Sequence, residues 1–183
     1  MIIERQILKD VLLLKPEIHN DARGYFLESF KENFFDDFGL SLNFVQDNQV
    51  YSNNAGIIRG LHYQLQNPQG KLVQVVSGAI MDVAVDIRVN SPDFGKSVII
   101  NLDSKLHNMV FIPEGFAHGY SVIEKDTIVQ YKCTNYYDPN SEFGIIWNDK
   151  DLSIDWGVPN PVVSEKDSKL PKLKDQFNLP SIL

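Results

Sequence analysis

The sequence predicts an all-β fold, and two observations support that prediction. From residue 80 to residue 89, apolar side chains alternate with residues that include Asp82, Asp86 and Arg88. A period of two is that of a half-buried β-strand. Further β-rich runs are short, numerous and separated by turn residues such as Asn67-Pro68. This pattern is typical of a sandwich or barrel, and we predict a jelly roll with a few short peripheral helices.

The predicted strands share a high content of β-branched and aromatic residues. In chain order they cover residues 10–14, 24–30, 44–51, 71–77, 80–89, 96–102, 109–112, 119–123, 127–134 and 144–147. No internal repeat or low-complexity linker separates them, so residues 1–183 are expected to form a single domain.

Helix signals are sparse. Ser29-x-x-Glu32 has the form of a capping box, and it predicts a short helix that Gly39 ends. The aromatic residues of this helix are expected to face inward; they are Phe34, Phe35 and Phe38. A second helix is predicted to begin at Ser164.

Composition limits the function classes. The chain has 17 Lys and Arg against 24 Asp and Glu, and a net charge of −7 disfavours nucleic acid and anionic membranes as partners. No apolar run approaches the roughly 18 residues of a membrane span, and the N-terminal residues do not resemble a signal peptide. A single cysteine, Cys133, fits a reducing compartment. These features predict a cytoplasmic protein.

The segment from Arg59 to Gln64, followed by Gln69-Gly70-Lys71, has the residue types of a small-molecule site. Arginine and lysine suit phosphate oxygens or an oxyanion. The imidazole of His62 lies between them in the sequence, and its unperturbed pKa near 6.5 suits proton transfer. The alternative is a strand end with a packed histidine and solvated cations.

A second segment, Pro113-x-Gly115-x-x-His118, resembles the second sequence motif of the cupin superfamily, in which a turn directs a histidine into a barrel. Metal-binding cupins supply a further His-x-His pair and a glutamate as ligands. Here the corresponding place has His62-Tyr63-Gln64, so one imidazole is missing. We therefore predict a site without metal or other cofactor.

The chain resembles the dTDP-4-dehydrorhamnose 3,5-epimerase family. Matching segments occur in order at residues 21–30, 44–48, 59–64, 70–73, 111–119, 131–134 and 164–167. One departure is Gln49, where the family often has histidine. The resemblance implies a cupin-type barrel that epimerises a 4-keto nucleotide sugar at the carbons next to the keto group.

The resemblance also implies catalytic roles. His62 matches the family's base, Asp167 its acidic partner, Tyr131 its proton donor, and Lys71 a cation that stabilises the enolate oxygen. Each has a structural alternative. The motif Ser164-x-x-Asp167 is also a capping arrangement, a tyrosine in a strand is often a core aromatic, and a lysine often ends a strand.

The implied binding residues fall into two groups. Arg23, Arg59 and Lys166 match positions near the diphosphate. The nucleoside and remaining substrate positions are Phe26, Glu28, Gln46, Asp47, Asn48, His118 and Glu142, with Phe26 stacking on the base. The family further implies a homodimer in which the segment from Arg23 to Glu28 completes the partner's site.

Three other functions remain open at this point. One is a single-carbon epimerase of another 4-keto nucleotide sugar. Another is a metal-dependent cupin enzyme that uses His62 and His118 as ligands, and the third is a non-catalytic nucleotide-sugar binder. The binder would have no use for His62, Tyr131 and Asp167 together.

Overall fold

Two β-sheets face each other in a computed structural model that describes residues 1–8 and 10–181. Its strands are β1 (Ile2–Ile7), β2 (Val11–Lys15), β3 (Ile18–Asp21), β4 (Gly24–Leu27), β5 (Gln46–Ser52), β6 (Ile57–Gln64), β7 (Lys71–Ser77), β8 (Ala79–Asp86), β9 (Ser97–Asp103), β10 (Met109–Ile112), β11 (Phe116–Val122), β12 (Thr127–Cys133), β13 (Glu142–Gly144) and β14 (Val162–Val163). Short 3₁₀ turns cover Glu32–Phe34, Asp36–Phe38, Asp167–Lys169 and Leu173–Asp175. The predicted all-β class is confirmed.

The first sheet has the strand order β1-β2-β10-β7-β12-β5, and the second has β13-β6-β11-β8-β9 with β14 parallel to β6. Their facing sides bury one apolar core, to which β7 contributes Val73 and β8 contributes Ile80. Burial of such side chains is the main driving force for this arrangement. The hairpin β3–β4 forms a separate two-stranded sheet.

The alternating segment at residues 80–89 differs from its prediction. Strand β8 ends at Asp86, and nearly all of it is buried, so it is not a half-buried strand. Val83 and Val85 pack against a second core formed with the segment after β13, while Ile80 and Ala84 face the first core. The pattern could not show that a later segment covers the second face of the strand.

The predicted helices are shorter than expected. The capping box is wrong, because Lys31 precedes the first 3₁₀ turn and no side chain caps it. Phe34 and Phe35 are buried as predicted, but Phe38 is 47% exposed. Gly39 ends the second turn with a positive φ of 72°, as predicted.

Two other differences affect the site. No strand was predicted from the sequence at β6, although this strand carries Arg59 and His62. The strand predicted at residues 144–147 lies earlier, so Glu142 belongs to β13. Within the described residues, no helix is long and apolar enough to cross a lipid bilayer.

Close backbone approach brings β6 and β11 together beside the site. A Cβ atom on Gly60 would lie 2.5 Å from the Cα of Gly119, and one on Gly119 would lie 2.6 Å from the carbonyl oxygen of Arg59. Because real Cβ atoms do not approach backbone so closely, both positions require glycine. His62 and His118 are cross-strand partners next to this contact.

Candidate active site

Two adjoining cavities of about 260 and 460 Å³ form a cleft in the barrel. Both are lined by His62 from β6, Lys71 from β7 and Tyr131 from β12. The combined size is that of a small-molecule site. The structure therefore brings together the predicted base, proton donor and enolate-stabilising cation.

The fourth predicted catalytic residue is in contact with the first. Nε2 of His62 lies 2.8 Å from Oδ1 of Asp167, and Oδ2 of Asp167 accepts a hydrogen bond from the backbone N–H of Gly60 at 3.2 Å. The backbone N–H of Asp167 also donates to Oγ of Ser164 at 3.0 Å. Asp167 therefore takes part both in the local turn and in the contact with His62. The capping arrangement and the role as acidic partner of His62 are compatible.

The charge of Asp167 is stabilised by these contacts. Burial opposes ionisation, but the hydrogen bond and charge of His62 and the N–H of Gly60 outweigh it, and the pKa of the Asp167 carboxyl lies below its usual value. Because Nε2 donates to a carboxylate, the lone pair of neutral His62 is on Nδ1. Nδ1 is the ring nitrogen available as a base.

Glu142 lies on the Nδ1 side of the imidazole. Its Oε1 is 4.0 Å from Nδ1 of His62, while its Oε2 accepts a hydrogen bond from the hydroxyl of Tyr137 at 3.0 Å and contacts Nζ of Lys166. Burial raises the pKa of the Glu142 carboxyl, but Lys166, His62 and Tyr137 together bring it below its usual value. Glu142 is therefore ionised at neutral pH.

Tyr131 and Lys71 occupy neighbouring strands of the first sheet, where Tyr131 pairs with Val73 and Cys133 pairs with Lys71. Burial raises the pKa of the Tyr131 phenol, so Tyr131 carries its proton at neutral pH. Burial lowers the pKa of Lys71, against the opposing charges of Asp82 and Glu142. A phenol and an amine with these properties suit proton donation and stabilisation of an oxyanion.

A second histidine–carboxylate pair lies behind the cleft. Nε2 of His118 is 2.8 Å from Oδ2 of Asp82, and both side chains are buried. His118 lines the larger cavity. Oδ1 of Asp82 and the hydroxyl of Tyr120 are buried without a hydrogen-bond partner among the described residues.

The predicted nucleoside-binding residues of β5 divide between its two faces. Gln46 and Asn48 line the smaller cavity and are hydrogen-bonded to each other. Asp47 points the other way, with a side chain that is 70% exposed and ion-paired with Lys132. The structure does not bring Asp47 to the cleft, because successive residues of a strand face opposite sides.

Two predicted diphosphate contacts lie at the edge of the cleft. Arg59 is exposed and lines the larger cavity. Lys166 has a side chain that is 60% exposed and reaches Glu142. Both cations are accessible to an anionic ligand.

The predicted binding residues near the N-terminus lie outside the cleft of their own chain. Arg23 and Phe26 belong to the β3–β4 hairpin and its turn, and Glu28 follows it. Arg23 pairs with Asp21, and Phe26 is 65% exposed beside His19. None of the three lines the cleft.

Tyr137 in the smaller cavity and Tyr120 in the larger one were not predicted from the sequence as site residues. Tyr63, Gln64 and Gln69 belong to the segments in which a small-molecule site was predicted, and they line the smaller cavity. Asp82, the partner of His118, was also missed as a site residue. A charged residue between the apolar stretches 79–81 and 83–85 was the signal that could have indicated Asp82.

In residues 1–8 and 10–181, no group of three or more His, Cys, Asp or Glu side chains is arranged to hold a metal ion. His62 and His118 are cross-strand partners, and the Nε2 atom of each lies within hydrogen-bond distance of a carboxylate.

The fold and the site define a class of protein. A two-sheet β-barrel with a histidine–aspartate pair, a half-buried tyrosine and a half-buried lysine around one cleft has the fold of a cupin and the side chains that acid–base chemistry requires. The family described as dTDP-4-dehydrorhamnose 3,5-epimerase matches residues 5–175. The chain belongs to this family of isomerases.

Individual relatives agree with this assignment. The chain is 44% identical over 171 residues to a dTDP-4-dehydrorhamnose 3,5-epimerase of Methanothermobacter thermautotrophicus, covering 92% of each chain. It is 46% identical over 170 residues to the enzyme of Shigella flexneri, covering 92% of this chain and 93% of the relative. A crystal structure of the Legionella pneumophila dTDP-6-deoxy-D-glucose-3,5-epimerase in complex with dTDP-4-keto-L-rhamnose is 42% identical, with a TM-score of 0.93, and the alignment covers 99% of this chain and 97% of that chain.

The lowered pKa of Asp167 predicts how its substitution affects stability. Because that pKa lies below the unfolded value of about 3.9, ionised Asp167 contributes fully above pH 4 and loses its contribution as the pH falls through the folded value. Asp167→Asn should cost about 1–3 kcal/mol at pH 5, and the difference from wild type should disappear toward pH 2. Chemical denaturation across this range measures it.

Glu165→Gln is the control for this experiment. Glu165 is exposed and pairs with Lys169 one turn away. Its substitution should change stability little at any pH. A wild-type advantage over Asp167→Asn that persists unchanged at pH 2 would contradict the predicted charge effect.

Proposed function

We propose that this protein inverts C3 and C5 of dTDP-4-dehydro-6-deoxyglucose to give dTDP-4-dehydrorhamnose. The observation that supports this most strongly is the shared cleft, in which His62 paired with Asp167 lies together with Tyr131 and Lys71. Family membership supports the same substrate class, since a structural relative binds dTDP-4-keto-L-rhamnose. The protein is an isomerase on this proposal, with no redox step.

The chemistry follows from the keto group at C4. A carbonyl acidifies the hydrogens on both flanking carbons, so removal of a proton from C3 or C5 leaves an enolate. His62 takes the proton on Nδ1, Asp167 stabilises the resulting imidazolium, and Lys71 stabilises the enolate oxygen. Tyr131 then gives its phenolic proton to the opposite face of the same carbon. Proton exchange with solvent returns His62 to its neutral form and Tyr131 to its phenol, and repetition at the second carbon then inverts both.

Two alternatives are less well supported. A non-catalytic binder gives no reason for a buried carboxylate to orient His62 in the same cleft as the half-buried phenol of Tyr131. A single-carbon epimerase has the same chemical groups and differs only in where the sugar is held. Product analysis decides between one and two inversions.

The position of Arg23, Phe26 and Glu28 leads to a further part of the proposal. These residues lie outside the cleft of their own chain, on a hairpin with exposed side chains. We propose a homodimer in which this hairpin completes the substrate site of the partner subunit. We also propose a cytoplasmic location, since the buried free thiol of Cys133 fits a reducing compartment.

The two proton-transfer roles predict different failures in D₂O. His62→Ala should abolish deuterium uptake at C3 and C5, with a loss at or beyond the upper end of the roughly hundred- to ten-thousand-fold range for general-base removal. Tyr131→Phe should still form the enolate and return deuterated, uninverted sugar. NMR of dTDP-4-dehydro-6-deoxyglucose with each variant measures label and configuration together.

Asp167→Asn is expected to resemble a milder His62 defect, because the imidazole remains but loses its orienting charge. Equal loss of exchange and inversion in Tyr131→Phe, or continued exchange in His62→Ala, would show that these residues do not have the proposed roles.

Metal independence is a separate prediction. Each Nε2 of His62 and His118 is held by a carboxylate, and the chemistry needs only proton transfer. Full turnover should therefore survive prolonged dialysis against a chelator. Loss of turnover that one divalent ion restores would instead support the metal-dependent cupin alternative.

The dimer proposal predicts complementation between two defective variants. Arg23→Ala and His62→Ala should each be weak alone at low substrate concentration. If Arg23 acts in the partner's site, a mixed dimer contains one intact site, and random mixing restores about a quarter of wild-type activity. Light scattering checks the oligomeric state. A dimer without complementation, or a fully active monomer, would contradict the proposal.

A further inference from the structure

The side of His62 that faces away from Asp167 has its own charged neighbour. Oε1 of Glu142 lies 4.0 Å from Nδ1 of His62, beyond hydrogen-bond distance but within the range of a strong charge interaction. Glu142 is held there because β13 pairs with β6, so that Gly144 is opposite His62 and Glu142 is opposite Gln64. The glutamate side chain is only 14% exposed, which limits screening by water.

The second oxygen of the same carboxylate is already occupied. Oε2 accepts from the Tyr137 hydroxyl and contacts the ammonium group of Lys166. Lys166 is exposed at the edge of the cleft and directly precedes Asp167 in the chain. Part of the charge of Glu142 is therefore balanced by a cation that an incoming anion can reach.

This arrangement affects the base more after proton transfer than before it. Neutral His62 presents a lone pair on Nδ1 toward the carboxylate, which gives little attraction. Once Nδ1 has taken the sugar proton, the imidazolium lies between two carboxylates, Asp167 at 2.8 Å and Glu142 at 4.0 Å. An interaction that strengthens during the reaction lowers the barrier.

This inference rests on the proposed function. We propose that Glu142 is a positioning residue whose carboxylate stabilises the protonated form of the base, His62. We further propose that Lys166 weakens this stabilisation until the substrate diphosphate binds Lys166. A diphosphate offers more charge and more acceptor oxygens than one carboxylate, so it competes well for an exposed ammonium. Removal of Lys166 from Glu142 leaves the full carboxylate charge facing His62. The nucleotide part of the substrate thereby activates the base that acts on the sugar part.

The proposal separates kcat from KM for one variant. Glu142→Gln has the same shape without the charge, and it should lower kcat about tenfold or more, the effect expected of one opposite charge within 4–6 Å, with little change in KM. A residue that only binds substrate would raise KM instead. A rise in KM with unchanged kcat would overturn the proposal.

A second variant tests the role of Lys166 and does not depend on the first. Lys166→Met removes a largely exposed ammonium group and keeps much of its stem, so the variant should fold. With the free sugar 4-dehydro-6-deoxyglucose, which has no phosphate, its hydrogen exchange in D₂O should be faster than that of wild type, by up to about tenfold. With the dTDP-sugar its KM should rise, because a diphosphate contact is lost.

Lys169→Met provides the matched control. Lys169 is exposed on the following 3₁₀ turn and pairs with Glu165, away from the cleft. It should exchange the free sugar at the wild-type rate. Exchange of the free sugar by Lys166→Met at the wild-type rate or more slowly would overturn the inference about Lys166. In that case, double inversion of the dTDP-sugar by the wild-type protein would still support the proposed function. A wild-type protein that exchanges neither the C3 nor the C5 hydrogen of the dTDP-sugar would refute both.

Discussion

The hydrogen bond between His62 and Asp167 links the fold to the chemistry. It joins β6 in the second sheet to the turn at Asp167–Lys169, more than a hundred residues later. The same carboxylate accepts from the backbone of Gly60, where β6 comes closest to β11. The same hydrogen bond therefore fixes the turn at Asp167–Lys169 against β6 and orients the imidazole of His62. This contact leaves Nδ1 of His62 as the ring nitrogen available as a base, and the pairing of β13 with β6 places Glu142 on the same side of the ring.

Specific hydrogen-bond and charge partners explain how the cleft keeps its carboxylates ionised, because burial alone favours the neutral form. Lys71, Tyr131 and His118 come from three strands of two sheets, and each faces the same space. Each buried carboxylate near them has a specific donor, as in the pairs His62–Asp167 and His118–Asp82. Paired charges of this kind are costly to assemble and sensitive to the loss of one partner. We infer that they are retained for reaction chemistry more than for stability.

The sequence predicted the fold class, most strands and several residues of the central cleft. Local pattern and family resemblance together identified His62, Tyr131, Lys71 and Asp167, which the structure places in one site. Contacts between distant segments were not predictable in this way. The burial of both faces of β8 depends on the segment after β13, and the side of β5 on which Asp47 lies depends on register. Asp82 was missed because alternation alone places it on a polar face.

The central claim is that His62 and Tyr131 act on opposite faces of one sugar ring. A crystal structure of the protein with dTDP-4-dehydro-6-deoxyglucose or its product tests this most directly. The account predicts that Nδ1 of His62 lies against one face at C3 or C5, that the Tyr131 hydroxyl lies against the other, and that Nζ of Lys71 contacts O4. A sugar ring with both groups on the same face, or a ring bound outside this cleft, would contradict it.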